Sequence, residues 1–234
     1  YEHHAATYGP PEEFGYKDFV PRFKAENFDP ADLAAFIKKS GAKYAGIAVV
    51  HHDGFGLWDS DVSDWNAGKM GPKRDLYGDL VTELRKLDDM KVIATFHHIR
   101  TFDWYLPPSQ AAIDEGRAAG WDLFNPEYRD YYWNRYIGKY EDFMGQWRAK
   151  VEEVSDKYRP DVLWFDGGEF QEEEAEKFVL SILRDYYNKG ERWGKQVEIL
   201  NKLPTSMKFN FPREFGVLTF EEGRDRTARG GGLL

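Results

Sequence analysis

Asp166 has the clearest chemical potential in this sequence, because it ends a short apolar run. Four apolar residues, 162–165, precede it, and Gly167 and Gly168 follow it. An ionised carboxylate beside an apolar strand is costly unless a partner or a reaction uses it, and glycines let a ligand approach closely. Barrels of parallel strands carry their catalytic residues at the carboxyl ends of strands. Asp166 is therefore a candidate catalytic residue, with capping of the next helix as the alternative.

The six histidines all occur as adjacent pairs, and two pairs end predicted strands. His51 and His52 follow the strand at 43–50; His97 and His98 follow the strand at 91–96. Adjacent residues of a strand point to opposite faces, so each pair sends one imidazole inward. These side chains can hydrogen-bond sugar hydroxyls, and burial in the core is the alternative. Their spacing is not typical of a metal site and no carboxylate partners are evident, so we predict no metal and no cofactor.

Acid–base chemistry requires a second carboxylate besides Asp166, and the candidates that lie downstream are Glu169, Glu172, Glu173, Glu214, Glu221 and Glu222. Glu221 and Glu222 follow a predicted strand at 217–220, which places them at the same edge of a barrel as Asp166. The sequence has neither a Ser or Cys nucleophile elbow nor an HExxH pattern. Two carboxylates at strand ends, in a cleft with Trp and His, are typical of a glycoside hydrolase.

Alternating strands and helices must position these residues. Asp29 and Asp75 each begin an apolar pattern with helical spacing, and residues 1–28 predict a long loop. The alternation indicates βα units and a parallel sheet. We predict an α/β fold, a (β/α) barrel of TIM-barrel type; a doubly wound open sheet is the alternative, although no Gly-rich phosphate loop follows a strand. The other predicted elements are a helical region at 125–158 broken near Gly138, a helix at 171–188 and strands at 161–166, 197–200 and 217–220.

Composition excludes several classes of protein. The 234 residues suffice for one domain, and the formal net charge of -9 argues against a nucleic-acid partner. No apolar run approaches the ~20 residues of a membrane span, so we expect no membrane partner. The chain has no cysteine and hence no disulfide or thiolate chemistry. The aromatic content of 17% suits both core packing and clefts that bind sugar rings.

Several separate blocks together resemble glycoside hydrolase family 29, the α-L-fucosidases. They are similar to the family's signature "AKY…HHDGF.LW.S…DWN…KRD", and the resemblance extends from about residue 7 to about residue 224. The blocks that carry it are Ala42–Tyr44, His51–Phe55, Leu57–Ser60, Asp64–Asn66 and Lys73–Asp75, with Thr7–Gly9, Phe14–Phe19 and the opening of 161–168 also similar.

The resemblance implies a retaining exo-α-L-fucosidase that acts on fucosylated oligosaccharides or glycans. Asp166 matches the nucleophile, and a retaining pair of carboxylates lies about 5–5.5 Å apart. The segment 216–224 resembles the block "GVLDYERGR" and places the acid/base on Glu221, with Glu222 as the fallback. His51 and His52 match the pair that binds fucose hydroxyls. The substrate-binding set that we expect also includes Trp58, Trp65, His97, His98, Trp104 and Lys202, the last standing where the family usually has Arg.

Departures from the family pattern leave alternatives open. The blocks "HWG" and "WY" are missing, and Phe96, His97 and His98 stand where Tyr and Ser are common. We expect one catalytic barrel domain over residues 1–234, incomplete because the first strand and a C-terminal β-sandwich are absent. The alternatives are an α-L-galactosidase-type enzyme, which differs by one sugar hydroxyl, and a catalytically silent sugar-binding relative. The resemblance suggests a secreted, periplasmic or lysosomal protein, and a homo-oligomer stays an open alternative.

Overall fold

A parallel sheet forms the centre of the computed structural model, which describes residues 2–10, 12–166, 175–202 and 216–219. All pairings between its strands are parallel, with the order β1-β3-β4-β5-β6, and β2 also pairs with β3. The predicted parallel sheet is therefore confirmed. The strands are β1 (Tyr44–Ala45), β2 (Ala48–Val50), β3 (Lys91–Phe96), β4 (Val162–Phe165), β5 (Glu198–Lys202) and β6 (Val217–Thr219).

The register of the sheet aligns the carboxyl ends of its strands. Phe96 of β3 pairs with Val50 of β2 on one side and with Phe165 of β4 on the other. The residue after each of these three positions, namely His51, His97 or Asp166, therefore leaves the sheet at the same edge. Parallel α/β folds bind ligands at this edge.

The predicted strand at 43–50 is divided into β1 and β2, and Gly46 lies at the division. A Cβ at residue 46 would lie 1.9 Å from the carbonyl oxygen of Ile93 on β3. Backbone approaches this close are open only to glycine. The register in which β2 pairs with β3 also shifts between Ala48 and Val50.

The residues that the structure describes include seven α-helices. The Asp29 and Asp75 caps are confirmed: their carboxylates accept hydrogen bonds from backbone N–H groups of the first turn. The predicted helical region at 125–158 is interrupted after Tyr132 and resumes at Tyr140. The helices are α1 (Glu2–Tyr8), α2 (Pro30–Ser40), α3 (Leu76–Leu84), α4 (Gln110–Ala119), α5 (Arg129–Tyr132), α6 (Tyr140–Tyr158) and α7 (Ala175–Trp193). None of these described helices has the length and apolarity to cross a membrane.

The N-terminal segment differs from the predicted loop, since it contains α1 and a 3-10 helix at Tyr16–Arg22. Three aromatic rings hold these pieces together: Phe14 stacks on Tyr8 at 5.1 Å between ring centroids, and Phe19 meets both rings edge-on at 5.0 Å. The prediction failed because this segment is ordered by ring contacts between its pieces, which helical periodicity does not report.

The main hydrophobic core lies between the sheet and α6. Phe96 and Phe165 stack at 5.5 Å between ring centroids, and Trp147 of α6 packs on Phe165 at 5.7 Å. All three side chains are buried. Closely packed interiors hold their backbone in place, so we expect the carboxyl ends of β3 and β4 to be rigid.

Candidate active site

Asp166 and His97 form the centre of the candidate site. Backbone hydrogen bonds fix both residues, from the Asp166 N–H to Phe96 O and from the His97 N–H to Val50 O, each 3.0 Å long. The His97 Nδ1 atom then lies 3.1 Å from the Asp166 Oδ2 atom. Their side chains are 15% and 14% exposed, so the carboxylate is largely desolvated but still reachable. Such a carboxylate, held in one orientation by an imidazole, can act as a nucleophile or as an acid–base group.

His51, His52 and Trp104 extend this centre into a continuous surface of rings. His51 stacks on His97 at 4.5 Å between ring centroids and lies 4.4 Å from His52. His52 in turn lies 4.6 Å from Trp104, whose side chain is exposed. The structure therefore brings five of the predicted site residues into one cluster.

The protonation of His52 follows from its hydrogen bond. Its Nδ1 atom lies 2.5 Å from the carbonyl oxygen of His97. A carbonyl oxygen can only accept, so Nδ1 carries the proton. Burial is the main cause that lowers the pKa of His52, which favours the neutral ring at pH 7. In the neutral ring Nε2 is an acceptor, suited to a sugar hydroxyl.

A tight turn carries the histidine pair. The Gly54 N–H donates to His51 O at 3.0 Å, and Gly54 has a φ of +80°, which glycine adopts without steric cost. Tyr105 donates its hydroxyl proton to Asp53 O at 3.0 Å, and Lys150 of α6 donates to Gly54 O at 3.3 Å. Burial raises the pKa of Asp53. We refer to residues 51–54 as the histidine turn.

Two predicted substrate-binding residues are corrected by the structure, since neither has surface to offer a sugar. Trp58 is 0% exposed, and its Nε1 atom donates to Glu153 of α6 at 2.9 Å. The same carboxylate accepts from Ser60 and from the Asp61 N–H, so Trp58 helps to fix this loop to α6. His98 is buried against Trp147, and burial lowers its pKa well below the ordinary value.

Trp65 belongs to a separate aromatic group beside the histidine turn. It is half-buried and stacks on Tyr131 at 4.3 Å, and Tyr131 lies 5.9 Å from Tyr105, measured between ring centroids. Sequence reasoning missed both tyrosines and Asp53. The aspartate stands inside the "HHDGF" block, which was the available signal, whereas nothing local indicated the tyrosines.

The structure does not describe the side chains of the three remaining predicted residues. Lys202 ends β5, and its backbone alone is described; Glu221 and Glu222 lie outside the described residues. The roles of these three residues therefore stay predictions. Over the ranges that the structure does describe, no group of three or more His, Asp or Glu side chains is arranged to hold a metal ion.

The family follows from comparison with known proteins. A family model described as "Alpha-L-fucosidase" matches residues 1–213. The chain belongs to the alpha-L-fucosidase family. The matched range includes Asp166 and the histidine turn, and it ends before Glu221 and Glu222.

Relatives within the family agree with this assignment. The tissue alpha-L-fucosidase of Homo sapiens is 31% identical over 159 residues, which are 67% of this chain and 29% of that protein. The alpha-L-fucosidase of Dictyostelium discoideum is 29% identical over 192 residues, 78% of this chain and 37% of that protein. The chain thus spans about three-tenths to two-fifths of the length of these curated relatives.

A solved member of the family shares the fold. The Thermotoga maritima alpha-fucosidase in complex with fucose superimposes with a TM-score of 0.60 at 32% identity, over 85% of this chain and 41% of that chain. Together with the parallel sheet of βα units, this neighbour confirms the predicted α/β fold class, in keeping with a (β/α) barrel.

Proposed function

We propose that this protein is a retaining exo-α-L-fucosidase with Asp166 as its nucleophile. The observation that carries the proposal is the position of Asp166 at the tip of β4, with Oδ2 3.1 Å from His97 Nδ1 and the histidine turn alongside. Membership of the family supports it. So does a Thermotoga maritima relative solved "in complex with a mechanism based inhibitor".

The reaction proceeds through two displacements at the anomeric carbon. In the first, an Asp166 oxygen bonds to that carbon, and the glycosidic oxygen departs with a proton from a second carboxylic acid. In the second, the acid/base residue, now ionised, takes a proton from water, and the water oxygen bonds to the anomeric carbon and displaces Asp166. The configuration is retained because each step inverts it once. The first inversion requires an ionised Asp166, and the His97 Nδ1–H beside Oδ2 stabilises that charge.

The imidazoles supply the recognition of the sugar. Nε2 of neutral His52 accepts a hydrogen bond from a fucose hydroxyl, and His51 binds a neighbouring hydroxyl. Trp104, half exposed beside His52, offers an apolar plane to the C–H face of the sugar. Lys202 would add a point charge in place of the planar fork of an arginine.

Glu221 is the proposed acid/base, with Glu222 as the fallback. A general acid must be protonated at working pH, so the acting residue is expected to be partly desolvated, with a raised pKa. Replacing each by Gln separates the two. The variant of the acting residue should lose activity on fucosides with a poor leaving group and keep it on those with a good one.

The deciding experiment removes the nucleophile. Asp166→Gly should abolish hydrolysis of an aryl α-L-fucoside, and azide should restore release of the aryl alcohol, because from the space of the lost carboxylate it bonds to the anomeric carbon and gives the β-fucosyl azide. Asp89→Gly is the matched control, because Asp89 is exposed and has a φ of +59° that glycine adopts readily. A fluorinated fucoside should label Asp166 in the wild-type protein. Full activity in Asp166→Gly, or the label on another residue, would overturn the proposal, and sugar binding without turnover in the wild type would indicate a silent binding protein.

A further inference from the structure

Lys150 is a buried cation in the middle of α6, on the side of that helix that packs into the core. Lys150 is almost fully buried, at 3% exposure, and Trp147 and Val151 of the same helix are buried as well. Lysine is almost never buried to this extent without a partner. In the described part of the chain no carboxylate lies within 4.0 Å of its ammonium group, and its hydrogen bond goes to the Gly54 carbonyl at 3.3 Å.

The Gly54 carbonyl is the far end of the histidine turn. β2 fixes the near end of the turn, and the hydrogen bond from the Gly54 N–H to His51 O closes it. A Cβ at Gly54 would lie 3.2 Å from Thr101 Cγ2 and 3.3 Å from Tyr131 O, so this end of the turn lies directly against its neighbours. A donor that holds Gly54 O therefore sets where His51 and His52 stand relative to Asp166.

Charged and titratable groups from several elements surround the ammonium group. Asp53 of the turn, Asp130 of α5 and Glu153 of α6 attract it, and the buried His98 after β3 lies close enough for the two to repel when both are charged. Burial outweighs the attraction and lowers the pKa of Lys150 to about 8. An apolar residue of similar length would fill the space without this cost, so packing alone does not account for a lysine here.

We propose that Lys150 is a positioning residue for the active site, whose buried ammonium group holds the histidine turn so that His51 and His52 face the sugar bound at Asp166. This inference rests on the proposed fucosidase function for its catalytic consequence. Lys150 touches neither the substrate nor the reacting atoms, and it acts through the Gly54 carbonyl alone.

The test compares two buried lysines in the intact protein. Lys150→Met keeps the length of the side chain and removes its donors. Lys189→Met is the matched control, since Lys189 of α7 is also buried but pairs with Asp156 and Asp185, away from the histidine turn. Loosened hydroxyl contacts of the two imidazoles should raise the KM of Lys150→Met for an aryl α-L-fucoside about tenfold, with kcat little changed. Lys189→Met should keep both constants even if it unfolds more easily.

A second measurement does not depend on activity. The imidazole ring signals of His51 and His52, assigned by NMR, should shift or broaden in Lys150→Met and stay in place in Lys189→Met. Unchanged ring signals in folded Lys150→Met, or a KM equal to that of the wild type, would overturn the positioning role. If the wild-type protein hydrolyses no fucoside, the proposed function fails while the ring signals still decide whether Lys150 positions the turn.

Discussion

Raising the pH from 7 to 9.5 is expected to stabilise the protein through Lys150. In the unfolded chain this lysine has its ordinary pKa of 10.5, whereas burial in the folded protein lowers the pKa to about 8. Between these two values the unfolded state binds more protons than the folded state. The free energy of unfolding therefore rises with pH across that window.

The size of the effect follows from the two pKa values. The gap between 10.5 and about 8 corresponds to about 3 kcal/mol of destabilisation while Lys150 stays charged, at 1.36 kcal/mol per pKa unit. About 2 kcal/mol of this should be regained between pH 7 and pH 9.5. The side chain is only 3% exposed, so solvent screening does not reduce the value greatly.

The assay is urea unfolding followed by tryptophan fluorescence at four pH values from 7 to 9.5. The measured quantity is the difference in unfolding free energy between the wild type and Lys150→Met, because other titrating groups contribute equally to both. The series stops at 9.5 because burial raises the pKa of tyrosines such as Tyr187, to about 12, so that at higher pH their ionisation in the unfolded chain lowers the stability of both proteins and leaves less to measure.

A difference that stays constant with pH would refute the reasoning. It would mean that Lys150 keeps its ordinary pKa in the folded protein, and hence that water or a counter-charge reaches the ammonium group. The account of a desolvated cation under the histidine turn would then be wrong, whatever the kinetics of the variant.

Two further substitutions test other contacts. His97→Ala removes the imidazole beside Asp166 and should lower kcat/KM by roughly 10- to 100-fold, the contribution of a hydrogen bond to a charged group. His97→Asn retains an N–H donor near that position and should recover part of the loss. Equal activity of the two variants would argue against the hydrogen bond. Gly46→Ala should destabilise the protein by about 3 kcal/mol because its Cβ would meet Ile93 O at 1.9 Å. Gly145→Ala, on an open face of α6, is the control and should stabilise the protein by about 0.5–1 kcal/mol in the same urea assay. Similar effects of the two glycine changes would contradict the close approach of residue 46 to β3.

The shared edge of the site was predictable from the sequence because it depends on a local pattern. An apolar run that ends on a polar residue indicates both a buried parallel strand and the point where it leaves the sheet. His51, His97 and Asp166 satisfy this pattern, and the register places them side by side. Their catalytic and binding roles stay predictions until the variants are measured.

Contacts between distant parts of the chain could not be predicted. The residues around Trp58 give no sign that it is buried, because Glu153, which accepts the hydrogen bond from its N–H, lies 95 residues further along. Lys150 would be assigned to solvent by its charge, whereas in the structure its ammonium group donates to the Gly54 carbonyl, 96 residues earlier. Helix α4, which no prediction covered, buries only Ile113 and Gly116, too little apolar surface for a clear periodic signal.

Two hydrogen-bonded contacts of α6 couple the histidine turn to the loop at residues 58–60. Lys150 holds the Gly54 carbonyl and Glu153 holds the loop at Trp58 and Ser60, and the two residues are three positions apart, on neighbouring turns of one helix. A slide or rotation of α6 would therefore carry both loops together, as one body. Changes in the 58–60 loop that alter its hold on Glu153 should reach the histidines through the helix, so the two loops would have to be redesigned as a pair.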